Sequence, residues 1–527
     1  MGKVARYLNQ LTVGNVFDAP EVLEQYSTDR SVLKIRPKYV ALPESTEDIR
    51  KIMRFCHQLA AKGIKLPVTV WGSGLDEGGA DLTNQILVST EKMNRLLEAD
   101  RRERLVRVQA GITLKELNTA LSVNGLMIPV GGHDSETIGG LISNCPADDW
   151  AGKYGGITKY VERIEVVLPN GDILQTNRLT RHFVNRKAKE KTFEGDIYAR
   201  LAKLTSKYQD TLKHIRSEKY GMYGYPTITQ ASDKSSLDLL PLFYGAQGTL
   251  GIITEVILRA IPIEKDIKRV VATFAEYDTA KKFLDLANSL KPRELDIYDL
   301  SIIKTAEGMG KRLSEITQNM DKGFVVFAKY DRKANSALRK LGSVRKVLPA
   351  TTNLLIESSK NAVQMDELEN SLISFLNQVR TGERVPVLTD FYLPANNIQA
   401  FLNDIAVLGK SLGLDLALFG SYSANNYSVR PRINLDDKEL NKKIVTFLRT
   451  GAFIINRQGG SLTGGTPEGR IKALVTNSDI SDIEKRLYLE IKLIFDRYNI
   501  MNPGIKLGAD ARFTLTHLRD SASKITV

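Results

Sequence analysis

The stretch Gly245-Ala246-Gln247-Gly248-Thr249-Leu250-Gly251-Ile252-Ile253-Thr254-Glu255 joins a glycine-rich loop to the start of an apolar strand. Glycine lets backbone amides approach a phosphate closely, and the β-branched residues from Ile252 onward predict a strand that continues to Leu258. One such loop is weak evidence, because most glycine-rich loops are only turns. The loop becomes stronger evidence for a phosphate-binding site if the chain contains further loops of the same kind.

Two further loops of this kind precede it. The first, Trp71-Gly72-Ser73-Gly74-Leu75-Asp76-Glu77-Gly78-Gly79, follows an alternating strand predicted over Ile64–Trp71. The second contains Gly131-Gly132 and then Thr137-Ile138-Gly139-Gly140-Leu141-Ile142-Ser143-Asn144, after a helix predicted to begin at the capping box Thr113-x-x-Glu116. Neither a G-x-G-x-x-G fingerprint nor a P-loop occurs. Together the three loops predict a region that wraps one long, doubly phosphorylated ligand.

Composition narrows the class of protein. The chain has 527 residues, 42% of them hydrophobic and 26% charged, which excludes a mainly disordered or fibrous protein. Two cysteines cannot form a disulfide framework, and no apolar run is long enough for a transmembrane helix, so we expect a cytoplasmic location. The net charge of +13, with basic stretches such as Arg181–Lys191, leaves peripheral membrane contact open. The absence of zinc-ligand spacing and of RNA-binding motifs argues against a nucleic-acid partner.

The pattern of the chain changes after Pro262. Strand-like runs such as Val270–Phe274 and Phe324–Tyr330 alternate with amphipathic helical segments such as Thr279–Leu290 and Asn397–Leu412. This alternation is typical of a separate α+β domain, with helices covering an antiparallel sheet.

The motifs carry a family resemblance. The second loop resembles the family wording T-I-G-G-x-I-x-x-N, the third resembles G-S-E-G-T-L-G-I-I-T-E, and Asn502-Pro503-Gly504-Ile505-Lys506 resembles N-P-G-K. These are motifs of the FAD-binding oxidoreductases of the vanillyl-alcohol oxidase/p-cresol methylhydroxylase (PCMH) type. The nearest branch is that of the D-lactate, glycolate and D-2-hydroxyglutarate dehydrogenases. The resemblance extends from about residue 30 to 507.

The resemblance implies an α+β fold. A two-lobed PCMH-type FAD-binding domain would span residues 1–264 and an α+β cap domain with an antiparallel sheet residues 265–490. Residues 491–527 would return to the FAD-binding domain. FAD would be bound without a covalent link, since the first loop has no histidine. The residues then expected to bind it are Trp71, Gly72, Ser73, Gly74, Leu75, Asp76, Gly131, Gly132, Thr137, Ile138, Gly139, Gly140, Ser143, Asn144, Gly248, Gly251, Ile252, Ile253 and Asn502.

The cap sequence differs from the family motifs at the positions expected to bind a metal and supply a base. The nearest branch has two histidine-bearing cap motifs, G-H-x-G-D-G-N-L-H and G-E-H-G, that supply a metal site and a base. Here the corresponding positions are Ser421 and Ser428 in the first motif and Gly465 and Thr466 in the second. A serine hydroxyl is a poor ligand for a divalent transition metal compared with imidazole. We therefore predict no metal site and no imidazole base in the cap.

Other side chains would have to serve the reaction. The candidates are Tyr392, Tyr422 and Tyr427, which could accept a proton if a nearby cation lowered their pKa, and Arg384, which could hold a substrate carboxylate. The favoured function is an FAD-dependent oxidoreductase that takes hydride from a small hydroxylated substrate, with anionic substrates included. The electrons would pass to a quinone, a carrier protein or oxygen. The alternative is a non-catalytic flavin-binding protein with a disabled cap site.

Overall fold

The computed structural model describes residues 2–215, 221–233, 235–308, 320–343, 353–358, 361–376, 384–476 and 480–520. Its strands are β1 Asn15–Phe17, β2 Tyr39–Leu42, β3 Val68–Trp71, β4 Ile86–Ser89, β5 Leu96–Asp100, β6 Leu105–Gln109, β7 Leu126–Met127, β8 Val161–Val167, β9 Ile173–Gln175, β10 Leu179–Thr180, β11 Ser236–Leu237, β12 Ile252–Arg259, β13 Ile261–Pro262, β14 Lys268–Phe274, β15 Glu294–Asp299, β16 Phe324–Tyr330, β17 Leu354–Ile356, β18 Leu388–Tyr392, β19 Leu416–Ser421 and β20 Asn426–Pro431.

The α-helices span Lys3–Leu11, Pro20–Gln25, Thr46–Ala61, Leu114–Ser122, Ile138–Asn144, Ala151–Tyr154, Arg181–Lys187, Phe193–Lys207, Gln209–His214, Ile228–Ala231, Tyr277–Ser289, Leu300–Gly308, Ala334–Ser343, Ala362–Leu376, Ile398–Leu412, Leu440–Arg457, Ala473–Thr476, Asp482–Phe495 and Ala511–Thr516. Short 3₁₀ turns cover Ile157–Lys159, Leu240–Phe243 and Ala395–Asn397. None of these helices is both long and apolar enough to cross a membrane.

The first lobe contains a four-stranded sheet in the order β1-β2-β4-β3, in which β4 runs parallel to both β2 and β3. Helix Thr46–Ala61 begins where Ser45 Oγ accepts a hydrogen bond from the Asp48 amide. It buries Ile49, Ile52, Met53 and Cys56 in the core of this lobe, at the helical spacing read in the sequence. The first glycine-rich loop leaves the carboxyl end of β3.

The second lobe is built on a five-stranded antiparallel sheet in the order β5-β6-β12-β8-β9. Its central strand, β12, begins at Ile252, directly after the third glycine-rich loop. The turn Pro169-Asn170-Gly171, a sequence typical of hairpins, connects β8 to β9. The predicted capping box is also present, because Thr113 and Glu116 cap helix Leu114–Ser122 reciprocally.

The cap is a seven-stranded antiparallel sheet in the order β17-β14-β16-β15-β19-β20-β18. Helices including Tyr277–Ser289 and Leu440–Arg457 contribute to its main core, as the amphipathic pattern predicts. The antiparallel sheet and its helical cover confirm the α+β fold class.

The C-terminal part of the chain packs on the first two lobes. Helix Asp482–Phe495 contributes to the core of the second lobe, ahead of residue 491, where the sequence places the return. Beyond it, the Val68 amide donates to Ile500 O and the Asn502 amide to Val68 O, which places this segment beside β3. The cap is therefore inserted between segments that share one core.

Candidate functional site

The three glycine-rich loops converge on one cavity, which we call the loop cavity. It encloses about 820 Å³ when its open mouth is included. The residues that line it are Val70, Gly72, Ser73, Gly74, Leu75, Asp76, Ala80, Asp81, Thr90, Ala110, Glu136, Thr137, Gly139, Gly140, Leu141, Ser143, Asn144, Pro146, Gln247, Gly248, Gly251, Ile252 and Ile253.

The first loop presents bare backbone to this cavity. Within the described residues, the amides of Ser73, Gly74 and Leu75 donate no hydrogen bond to the protein. Gly74 has a φ of +70°, and a Cβ there would meet the Trp71 ring at 2.3 Å. Amides left free at a loop that follows a strand form a site that favours the oxygens of a phosphate.

Side chains connect the three loops to one another. Asn144 Nδ2 of the second loop donates to Asp76 Oδ1 of the first at 3.1 Å. Gln247 Nε2 of the third loop donates to Asn144 Oδ1 at 3.0 Å. Gln247 in turn accepts from the Gly469 amide of the cap at 3.1 Å. The positions of the three loops are therefore interdependent.

Asp76 does not stand free in the loop cavity. Its Oδ2 accepts from the amides of Gly78 at 2.9 Å and Ala80 at 2.7 Å, so it stabilises the turn of its own loop. Burial and the nearby Asp29 raise the pKa of Asp76 to about 6. Oxygens of Asp29, Asp76 and Asp81 lie within 4.8 Å of one another, an arrangement that can share protons or hold a cation.

A second cavity, which we call the polar cavity, lies between the loops and the cap sheet. Its lining residues are Arg30, Leu75, Asp76, Glu77, Gly132, His133, Glu136, Asn144, Pro146, Ala147, Asp148, Asp149, Leu376, Asp390, Phe419, Asn426, Ser428, Arg430 and Thr466. Leu75, Asp76, Glu136, Asn144 and Pro146 line both cavities. A ligand in the loop cavity and a second molecule in the polar cavity would share this wall.

The cap contributes a cluster of polar groups around Asp390. The Asp390 amide donates to Ser428 Oγ at 2.9 Å, and Thr466 Oγ1 lies 3.4 Å from Asp390 Oδ2. Lys472 Nζ donates to Thr466 Oγ1 at 2.9 Å, and burial lowers the pKa of Lys472 to about 8. Asp390 has a φ of +47°, an uncommon conformation for a non-glycine residue and one that recurs at functional sites. Burial, followed by repulsion from Glu77, raises the pKa of Asp390.

Most residues expected to bind FAD lie at the loop cavity. The lining includes Gly72, Ser73, Gly74, Leu75, Asp76, Thr137, Gly139, Gly140, Ser143, Asn144, Gly248, Gly251, Ile252 and Ile253. The remaining five lie elsewhere: Gly132 lines the polar cavity, the Gly131 amide donates to Asp148, Trp71 and Ile138 are buried in the cores, and Asn502 is buried behind the first and third loops.

The four predicted catalytic residues do not line either cavity. Tyr422 donates to Asp285 at 2.5 Å, and Tyr427 is buried in the cap core. Arg384 binds Asp415 Oδ2 at 3.0 Å and Ser301 Oγ at 2.8 Å. Burial raises the pKa of Tyr422 and Tyr427, opposite to the direction a proton acceptor needs. Tyr392 lies at the end of β18, where its backbone pairs with Ser461. A catalytic role for these four stays a prediction, and the described geometry does not favour it.

Sequence reasoning missed several residues at the cavities. Thr90 and Ala110 reach the loop cavity from outside the glycine-rich loops, and Arg30 and Asp149 line the polar cavity. Nothing in the local sequence marks Thr90, Ala110 or Arg30, because their proximity to the cavities depends on how the two lobes and the cap meet. The run Asp148-Asp149, which follows the second loop after Cys145, Pro146 and Ala147, was a usable signal for two of the carboxyl groups.

Comparison with known proteins places two domains on this framework. Residues 37–177 match a family model described as an FAD binding domain, and residues 263–505 match the C-terminal domain of FAD linked oxidases. The chain is 25% identical to D-2-hydroxyglutarate dehydrogenase of Pantoea ananatis over 91% of its own length and 48% of that protein. It therefore spans about half the length of this relative. It is 23% identical to D-lactate dehydrogenase of Anaerostipes hadrus, covering 92% of this chain and 93% of that one.

Solved structures share the fold. The 4-ethylphenol oxidase of Gulosibacter chungangensis, in its isoeugenol complex, superposes with a TM-score of 0.66 at 15% identity, covering 93% of this chain and 94% of that one. An alkyldihydroxyacetonephosphate synthase superposes with a TM-score of 0.63 at 16% identity, covering 94% and 84%. At these identities the likeness concerns architecture.

Proposed function

Because the chain belongs to the FAD-linked oxidoreductases, we propose that it holds FAD non-covalently in the loop cavity and oxidises a hydroxylated substrate in the polar cavity. FAD, when bound, supplies the acceptor for a hydride. The single observation that carries the proposal is the wall shared by the two cavities, which includes Leu75, Asp76 and Asn144. A substrate in the polar cavity is thereby placed against whatever the loop cavity holds.

The residues present fit FAD. The free amides of Ser73, Gly74 and Leu75 would accept phosphate oxygens without requiring a charged side chain. Gly139 and Gly140 leave the opposite wall bare, and a Cβ at Gly139 would approach Ala110 Cβ to 2.9 Å. Non-covalent attachment remains part of the proposal, supported by a first loop that contains no histidine or cysteine.

Asp390 is the residue we propose as the proton acceptor for the substrate hydroxyl. Its carboxylate lines the polar cavity, and a pKa raised by burial suits a group that must accept a proton near neutral pH. Ser428 and Thr466, which stand where the family resemblance leads one to expect histidines, both contact Asp390. We propose that this cluster works without a metal, because its hydroxyls are poor transition-metal ligands.

The proposal is tested by anaerobic flavin reduction. The purified protein should show a flavin spectrum that bleaches with at least one member of a panel of hydroxy acids, polyols and sugars. Asp390→Asn should keep the flavin spectrum and its bleaching by dithionite, while substrate bleaching slows by about 10²-fold or more, the usual size of a general-base effect. Asp482→Asn, at a carboxylate that is 88% exposed, is the matched control and should leave the rate unchanged.

Three outcomes would each contradict a part of the proposal. A colourless protein that does not take up added FAD would rule out the flavin site. Bound flavin that dithionite bleaches but no member of the panel does would support the alternative, a non-catalytic flavin-binding protein. Equal bleaching rates for the wild-type protein and Asp390→Asn would remove Asp390 from the mechanism and leave the flavin site intact. Reoxidation by oxygen, by a quinone or only by a carrier protein would distinguish the three acceptor classes.

A further inference from the structure

The polar cavity has an unusual balance of charge for an enzyme whose relatives carry the names of hydroxy-acid dehydrogenases. Two arginines line it, Arg30 and Arg430. Six carboxyl groups line the same space: Asp76, Glu77, Glu136, Asp148, Asp149 and Asp390. A substrate carboxylate would enter this space against an excess of acidic groups.

The two arginines are already engaged by the protein. Arg30 Nη2 lies 2.8 Å from Glu77 Oε1, and Arg430 Nη2 binds the same oxygen. Both guanidinium groups also donate to Leu376 O, at 3.3 Å and 2.7 Å. Glu77 thus neutralises half of the positive charge. Within the described part of the chain, the Nε atoms of both arginines are buried without a partner, and a hydroxyl oxygen can accept from either of them.

The other five carboxyl groups form no ion pair with a cation of the described residues. Asp76, Glu136 and Asp148 accept hydrogen bonds from backbone amides. Asp390 has the Thr466 hydroxyl at 3.4 Å, and Asp149 is exposed to the cavity with no hydrogen-bond partner in the described chain. Burial raises the pKa of Glu136 to about 8 and, together with repulsion from Asp149, raises the pKa of Asp148 to about 7. Loss of solvation within the cavity and repulsion from Glu294 raise the pKa of Asp149 to about 7.

Unpaired acceptors give a second and independent indication. Asp148 is 7% exposed, and its Oδ2 is buried with no hydrogen-bond donor in the described chain. Asn426 Oδ1 is likewise buried without a donor, and both residues line the polar cavity. Buried acceptors without a donor cost free energy, so these two atoms favour a ligand that donates hydrogen bonds.

From this balance we infer that the polar cavity binds a polyhydroxylated substrate, uncharged or bearing an ammonium group, and discriminates against hydroxy acids. Hydroxyl groups can both donate to Asp148 and Asn426 and accept from the arginine Nε atoms, whereas a carboxylate can accept from the arginines but has no hydrogen to donate to the two oxygens. Above its pKa of about 7, Asp149 is ionised, so an ammonium group would gain from it and a carboxylate there would meet like charge. The inference rests on the proposed function, because it names the substrate class of the same site.

The test compares one carbon skeleton in three charge states. Calorimetric titration of the FAD-bound protein with D-glucitol, 2-amino-2-deoxy-D-glucitol and D-gluconate gives the order of affinity directly, and erythritol and xylitol test chain length. We expect the neutral and cationic compounds to bind at least tenfold more tightly than gluconate. Asp149→Asn should reduce the preference for the cationic compound over glucitol by about tenfold. Asp482→Asn, the exposed control, should leave that preference unchanged.

The inference is overturned if gluconate or D-lactate binds as tightly as the polyols, or if none of the polyols binds. The flavin absorbance spectrum distinguishes failure of this substrate-class inference from failure of the proposed oxidoreductase function. If a hydroxy acid bleaches the flavin and no polyol binds, the oxidoreductase proposal stands and the polyhydroxylated substrate class is wrong. If calorimetry shows that polyols bind but no compound bleaches the flavin, the ligand class stands and the proposed oxidoreductase activity is wrong.

Discussion

Single carboxyl groups decide much of the electrostatics of this protein. Glu136 illustrates the point, since it lies on the wall between the two cavities and accepts from the His133 amide at 3.1 Å. Burial is the main reason that its pKa is raised to about 8, and Arg30 opposes the shift only partly. A buried carboxyl group that resists ionisation makes the stability of the folded protein depend on pH.

Glu136→Gln should therefore change the pH profile of stability. The folded-state pKa lies above the unfolded value, so the folded protein holds the proton more tightly, and the wild type loses stability as pH rises from about 4.5 to 8. The glutamine variant lacks this loss and should gain on the wild type by up to about 1.4 kcal/mol per pH unit. Urea unfolding of both proteins at pH 5, 6.5 and 8 measures the difference. Glu98→Gln, at a side chain that is 71% exposed, is the control; parallel profiles for Glu136→Gln and wild type would refute the expectation.

At the scale of elements, the ends of strands and helices position the site. The first loop leaves β3, and the helix Ile138–Asn144 begins beside it with Thr137 as its N-cap. The two meet at Gly72, where a Cβ would lie 2.6 Å from Thr137 Oγ1, the same oxygen that accepts from the Gly140 amide. The absence of a side chain at Gly72 is thus a condition for the loop and the helix to approach.

Gly72→Ala should weaken FAD binding by about tenfold or more, because overpacking of this kind typically costs about 1–3 kcal/mol. Titration of the apoprotein with FAD, followed by quenching of flavin fluorescence, measures the dissociation constant. Gly342→Ala is a suitable control, since it lies within the cap helix Ala334–Ser343 and its nearest neighbour is the movable Ile356 Cδ1 at 3.2 Å. An unchanged dissociation constant for Gly72→Ala would show that the loop accommodates the methyl group.

At the scale of the whole molecule, residues distant in the sequence hold the FAD-binding lobes together. Asn502 is 2% exposed and bridges three segments. Its Nδ2 donates to Ala80 O at 2.8 Å and Gln247 O at 2.7 Å, and its Oδ1 accepts from Thr69 at 3.0 Å. Nearby, Lys506 and Glu468 form an ion pair at 2.7 Å with both side chains 1% exposed, which ties the return segment to the cap.

Asn502→Ala should destabilise the protein by about 2–4 kcal/mol, because it leaves two buried carbonyl groups without donors. Asn499→Ala is a matched control: both residues have positive φ, +40° and +52°, but Asn499 is exposed. The difference in unfolding free energy between the two variants isolates the hydrogen bonds from the backbone cost. FAD content should fall with Asn502→Ala alone. Equal destabilisation by the two variants would mean that the side-chain bridge contributes nothing.

The sequence by itself determined the framework. The capping box predicted helix Leu114–Ser122, the amphipathic pattern predicted the helix found at Tyr277–Ser289, and the glycine-rich loops predicted which segments would form the loop cavity. These features follow from local rules, since backbone freedom at glycine and amphipathic spacing act within a few residues. The loss of histidines from the cap motifs was equally visible, because it is a matter of residue identity.

Only the tertiary structure decided which polar groups line the polar cavity. Tyr422 and Arg384 are candidate catalytic residues by sequence, yet Tyr422 donates a hydrogen bond to Asp285 and Arg384 binds Asp415. Asp149 and Asp390 are far apart in the chain and line the same cavity, where Asp390 contributes to the raised pKa of Asp149. Local sequence does not predict that these residues lie close together, because their proximity results from packing of the cap against the two lobes. The balance of charge in the polar cavity therefore depends on three-dimensional assembly rather than on any motif.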